Sequence, residues 1–257
     1  MVSTLTLRNA SRVLPVYLIC DASGSMGVPA AGGKRPIDVL NDSIVNLFVA
    51  VNQRRSTVLD VTLSVISFST SAYLNYAMDN VSPGDPQIRL QASGTTNLAA
   101  ALELFEGRLD IDGRERYPRE SYRPVAFILT DGHPTGDSSE WIRVVERLGR
   151  RSFPPRLIPC ALGEPMPEVF RQLTFAYGAN AGHLTHEILA DGKDVAQGIT
   201  SLFGRISRTL NAVQDPTNLM ASDSQDQITM MDTLIVSAMA DSANSTTVSF
   251  EDLISGY

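Results

Sequence analysis

The chain has 257 residues, 43% of them hydrophobic, and a mean hydropathy of −0.01. That is enough to bury one full α/β core, and no apolar run reaches the roughly 18 residues of a membrane span. The net charge of −7 is unevenly placed. Residues 215–257 hold Asp215, Asp223, Asp226, Asp232, Asp241, Glu251 and Asp252 with no Lys or Arg, so residues 1–214 are formally neutral. No basic footprint for nucleic acid exists. The asymmetry divides the chain into a folded domain over 1–214 and an acidic extension over 215–257. Met1 to Arg12 lacks the apolar centre of a signal peptide, so a cytoplasmic location is expected. Cys20 and Cys160 both fall in apolar strand-like runs and read as buried free thiols.

In chain order, Val16-Tyr17-Leu18-Ile19-Cys20 is a continuous apolar run closed by Asp21-Ala22-Ser23-Gly24-Ser25-Met26. Such a run reads as a buried parallel strand entering a loop, which places Asp21 at the sheet edge where open α/β folds hold their ligands. One carboxylate and two hydroxyls at alternate positions converge if the loop stays extended. Three hard oxygens suit a small hard cation such as Mg²⁺. After a glycine-rich stretch, Ile37, Leu40, Ile44, Leu47, Phe48 and Val51 keep helical spacing, with Pro36 suited to the first turn. Leu59 to Phe68 reads as a strand with one partly covered face. Ser69-Thr70-Ser71 then leads to Ala72–Ala77 through a connection too short for anything but an antiparallel hairpin.

Ser93-Gly94-Thr95-Thr96-Asn97 is a second polar loop. It opens a helix through Leu98, Ala101, Leu102, Phe105 and Leu109, capped by Asn97 or Thr96. The charged stretch Asp112 to Arg123 reads as a solvated surface excursion. Val125-Ala126-Phe127-Ile128-Leu129 is a buried strand ending in Thr130-Asp131-Gly132, a second acid at a strand end. A helix follows around Trp141 to Leu148, then a strand over Arg156 to Gly163, a short helix at Val169 to Leu173, a last strand over Gly182 to Ile188 and a closing helix from Val195 to Val213. Tyr73, Tyr76 and Trp141 read as packing residues, His183 and His186 as structural, and His133 as a loop residue. Strands alternating with helices imply a mostly parallel sheet with one antiparallel edge strand and helices on both faces. The extension reads as flexible or partner-docking: Ile228, Met231, Ile235 and Met239 share the face of one short helix, and Phe250 to Ile254 is a candidate docking segment.

Three loops are thus expected at one sheet edge: Asp21-x-Ser23-x-Ser25, Gly94-Thr95-Thr96-Asn97 and Thr130-Asp131-Gly132. In their order and spacing they resemble the von Willebrand factor type A (VWA) domain, over about residues 12–213. The resemblance implies a three-layer Rossmann-like fold and a metal-ion-dependent adhesion site. Its ion would be Mg²⁺, with Mn²⁺ or Ca²⁺ as alternatives. Ser23, Ser25 and Thr96 would coordinate it, while Asp21 and Asp131 would act mainly through water or from outside the coordination shell. A partner Asp or Glu would complete the octahedral shell.

Within that family, Leu14-Pro15-Val16-Tyr17-Leu18-Ile19-Cys20-Asp21, Thr130-Asp131-Gly132-His133-Pro134-Thr135 and Pro159-Cys160-Ala161-Leu162-Gly163 are similar to bacterial TerY-like, tellurite-resistance-associated proteins. That likeness implies a stress-response or phosphorylation-linked setting beside a kinase and a metal-dependent protein phosphatase. An enzyme is not expected. Phosphotransferases that form an aspartyl phosphate need a second acid two residues after the nucleophile, and that position is Ser23. A phosphatase-like enzyme and a scaffold with a vestigial metal site are the alternatives.

Overall fold

The computed structural model describes residues 12–30, 32–53, 59–78, 88–115, 121–162, 167–183, 186–189, 195–215 and 246–248. The strands are β1 (Arg12–Asp21), β2 (Leu59–Phe68), β3 (Ala72–Tyr76), β4 (Val125–Thr130), β5 (Arg156–Leu162), β6 (His186–Leu189) and β7 (Thr246–Val248). The helices are α1 (Pro36–Gln53), α2 (Leu98–Glu115), α3 (Ser138–Gly149), α4 (Pro167–Tyr177) and α5 (Val195–Val213). The sheet order is β3-β2-β1-β4-β5-β6-β7. Strands β2, β1, β4, β5 and β6 run parallel, and β3 lies antiparallel on β2 at one edge.

Because β1 is central, both of its faces are covered, which is why its sequence is continuously apolar rather than alternating. Leu14, Val16, Leu18 and Cys20 face a core shared with α1 and α5. Tyr17 and Ile19 face a second core with α2, α3 and α4. This is the three-layer α/β/α architecture expected, and the same logic corrects the reading of β2. Only Thr62 along β2 is not fully buried, so that strand has no open face.

Further differences concern single elements. Helix α2 continues past Leu109 to Glu115, because Asp112 is not a surface residue. Asp112 is fully buried and takes a 2.9 Å hydrogen bond from the Tyr17 hydroxyl and an ion pair from Arg108 one turn earlier. Tyr73 is 62% exposed and so is not a packing residue, whereas Tyr76 meets Phe48 edge-to-face and Trp141 is buried. The last parallel strand begins at His186, with His183 closing a 3₁₀ segment before it. The extension contributes β7, antiparallel on β6 at the edge opposite β3. The expected helical face at 228–239 and the segment 250–254 lie outside the described residues. No helix among the described residues is long and apolar enough to cross a membrane.

Candidate metal site at the sheet switch point

From β1 the chain steps to β2 on one side, and β4 flanks β1 on the other. The sheet order therefore reverses between β1 and β4, and the crevice at their carboxyl ends is the place where such folds bind ligands. Asp21 ends β1, and Asp131 directly follows β4. Backbone hydrogen bonds tie the surrounding loops together. Ala22 N–H donates to the Phe68 carbonyl at 2.7 Å, Ser93 N–H to Ala22 at 2.8 Å, and Gly24 N–H to Gly94 at 3.0 Å. Thr135 N–H donates to the Thr96 carbonyl at 2.8 Å and so joins the aspartate loop to the threonine loop. Asn97 is the helix cap of α2, its side-chain oxygen accepting from Ala100 N–H at 3.0 Å.

A polar chain links four of the five expected residues. Asp21 Oδ1 accepts from Ser23 N–H at 2.7 Å, the Ser23 and Ser25 hydroxyl oxygens are 3.1 Å apart, and Ser25 Oγ donates to Asp131 Oδ1 at 2.9 Å. Since Ser25 gives its one proton to Asp131, the proton between the two serines comes from Ser23. Thr96, the fifth, is 7% exposed, and its hydroxyl makes no hydrogen bond among the described residues. A side chain on Gly132 would touch it, with a Cβ there lying 3.9 Å from Thr96 Oγ1. The three loops thus meet as expected. His133, by contrast, is exposed.

The electrostatics of the cluster are those of two crowded acids. Asp21 is fully buried, and burial pushes its carboxyl up to about 6 despite the hydrogen bonds from Thr130 and Ser23, with the Asp131 charge adding to the rise. Burial also raises the Asp131 carboxyl. Two acids face each other across hydroxyls, and the charged group acting on Asp21 is another acid. Among the described residues no three His, Cys, Asp or Glu side chains gather as metal ligands, so the donors here are hydroxyl oxygens backed by carboxylates. That hard, oxygen-only set fits Mg²⁺ rather than a thiophilic metal.

Two neighbours of the site escaped the sequence. Thr70, read only as part of a turn, has its Oγ1 3.2 Å from Thr95 N and acts as acceptor. Gly94 sits over it with φ of +73°, where a Cβ would collide with the same oxygen. Thr130, read as part of the loop that carries Asp131 but given no role of its own, donates to Asp21 Oδ2 at 2.6 Å. The signal available for Thr130 was a β-branched hydroxyl residue beside a strand-terminal acid. For Thr70 there was none.

No protein-family model and no curated protein matches the sequence. Solved structures do. A von Willebrand factor type A protein from Catenulispora acidiphila superposes with a TM-score of 0.54 at 17% identity, over 79% of this chain and 43% of that one. The SpRpn10 VWA domain gives 0.52 at 12%, over 73% and 94%. The PilB minor pilin of Streptococcus sanguinis gives 0.55 at 13%, over 79% and 62%. The chain therefore has a VWA-like, Rossmann-type fold, and it spans less than two thirds of the length of the pilin and of the Catenulispora protein.

Proposed function

We propose that the chain is a non-catalytic protein-interaction module of the VWA type that binds Mg²⁺ at its sheet switch point and engages an acidic side chain of a partner. The observation that carries this reading is the Asp21–Ser23–Ser25–Asp131 chain, in which two raised acids are joined through hydroxyls. Ser23, Ser25 and Thr96 would hold the ion, with Asp21 and Asp131 supplying charge from behind them. Mostly neutral direct ligands leave the cation electrophilic, so a partner Asp or Glu completes its octahedral shell. Without the ion, the two acids repel the same partner carboxylate, so the metal decides the sign of the interaction.

The likeness of Leu14–Asp21, Thr130–Thr135 and Pro159–Gly163 to TerY-like proteins supports a cytoplasmic, stress- or phosphorylation-linked role beside a kinase and a phosphatase. Ser23, standing two residues after Asp21 where an aspartyl-phosphate enzyme carries its second acid, supports binding rather than turnover.

The test is capture of a partner by the full chain in Mg²⁺ and in excess chelator, with Asp21→Ala alongside. Capture in Mg²⁺ only, lost in Asp21→Ala while circular dichroism stays native, is the expected result. Capture that persists in chelator overturns the metal bridge, and phosphatase turnover abolished by Asp21→Asn overturns the non-catalytic reading.

A further inference from the structure

Thr130 lies outside the expected ligand set, yet its hydroxyl is the most connected atom in the site. Its Oγ1 is 2.6 Å from Asp21 Oδ2 and 2.9 Å from the Gly132 carbonyl, and Gly132 N–H reaches it at 3.3 Å. A threonine hydroxyl has one proton and two lone pairs. The short contact to a carboxylate takes that proton in a charge-assisted bond, leaving the oxygen to accept from Gly132 N–H. One atom therefore joins the end of β1 to the turn that carries Asp131. The other oxygen of Asp21 is held by Ser23 N–H at 2.7 Å. With both oxygens engaged, the carboxylate cannot turn without breaking a bond. Thr130 also lines an apolar pocket with Phe68, Ile128, Pro159 and Phe170. Its hydroxyl is committed to Asp21, so its methyl is the part that packs there, and valine keeps the shape while removing the donor.

We propose that Thr130 is the positioning residue of the site: it holds the Asp21 carboxylate behind the hydroxyl ligands, couples it to the Asp131 turn, and so sets the affinity for the ion. This rests on the metal-binding reading above. Groups that orient a metal site from behind its ligands change metal affinity about 10- to 100-fold when removed.

The experiment compares the full chain with Thr130→Val and Thr130→Ser in two measurements. Calorimetric titration with Mg²⁺ should show Thr130→Val weakened about 10- to 100-fold, and Thr130→Ser restored to most of the parent affinity. Amide hydrogen exchange in excess chelator, followed by NMR, should show Ser23 and Gly132 exchanging faster in Thr130→Val but not in Thr130→Ser. Equal Mg²⁺ affinity in the parent and Thr130→Val overturns the proposal, as does equal weakening by both variants. A parent chain that takes up no Mg²⁺ sinks the metal reading instead. The exchange measurement then judges Thr130 alone, and unchanged exchange at Ser23 and Gly132 in Thr130→Val overturns its positioning role.

Discussion

The Ser25 hydroxyl donates a 2.9 Å hydrogen bond to Asp131 Oδ1, joining the loop after β1 to the loop after β4 across 106 residues of sequence. Ser25 is exposed, so this bond contributes little to folding but fixes where the second acid points. Ser25→Ala should lower the unfolding free energy by no more than about 1 kcal/mol. It removes a proposed direct ligand, so it should abolish Mg²⁺-dependent capture. Chemical denaturation and the capture assay measured on the same preparation check the two effects separately.

The raised Asp21 carboxyl gives a pH dependence with a definite sign. In the unfolded chain this group titrates near 3.8, and in the folded protein at about 6. Between those values the native state keeps a proton that the unfolded state has released, so stability falls as pH rises through the window. The difference is on the order of 3 kcal/mol at 1.36 kcal/mol per pH unit, and the raised Asp131 acts in the same direction. Melting in chelator should therefore fall from about pH 4 to about pH 6.5, and Asp21→Asn should flatten most of that slope. Mg²⁺ should raise the melting temperature above about pH 6 and do little at pH 4, where protons hold the acids.

Gly94 occupies the left-handed region at φ of +73°, directly over the Thr70 hydroxyl. Gly94→Ala adds a backbone penalty of about 1–2 kcal/mol and a collision that must displace Thr70 or the loop carrying Thr96. The variant should melt lower and lose Mg²⁺ affinity, whereas Thr70→Ala alone should leave Gly94 unstrained and cost less. Paired thermal melts and Mg²⁺ titrations separate the two.

Cys20 and Cys160 both pair with Leu129, from opposite sides of β4. Two strand spacings put their Cα atoms about 9–10 Å apart, beyond the roughly 7 Å limit of a disulfide. Both thiols are fully buried, and burial, with the neighbouring Asp21 charge, pushes the Cys20 thiol up. A thiol reagent should therefore find no reactive cysteine in the native protein and two after denaturation, with no difference under reducing conditions.

The apolar runs at Val16–Cys20 and Val125–Leu129 have the length and continuity of strands covered on both faces, because water is excluded from both sides of a central strand. Each closes on an acid, so two thirds of the candidate site could be read from where apolar residues stop. The third loop read as a polar helix opening, and the resemblance to the VWA domain singled out Thr96 within it. Local pattern also gave the five helical segments and the antiparallel β3, since a three-residue turn permits no crossover.

What pattern could not give depended on contacts distant in sequence. Asp112 looked like the start of a charged surface loop, but the Tyr17 hydroxyl arriving from β1, together with the Arg108 ion pair, makes its burial tolerable. Strand β7 has no apolar signature, because an edge strand of three residues is defined by its pairing with β6 rather than by its own composition. Thr70 and Thr130 are ordinary residues in sequence. They become parts of the site because folding brings Gly94 onto one and Asp21 onto the other. Which residue types stand at the sheet edge is already legible where the apolar runs stop. The tertiary structure alone decided which hydroxyl faces which carboxylate, since hydrogen-bond partners 106 and 109 residues apart follow from strand order and not from any local periodicity.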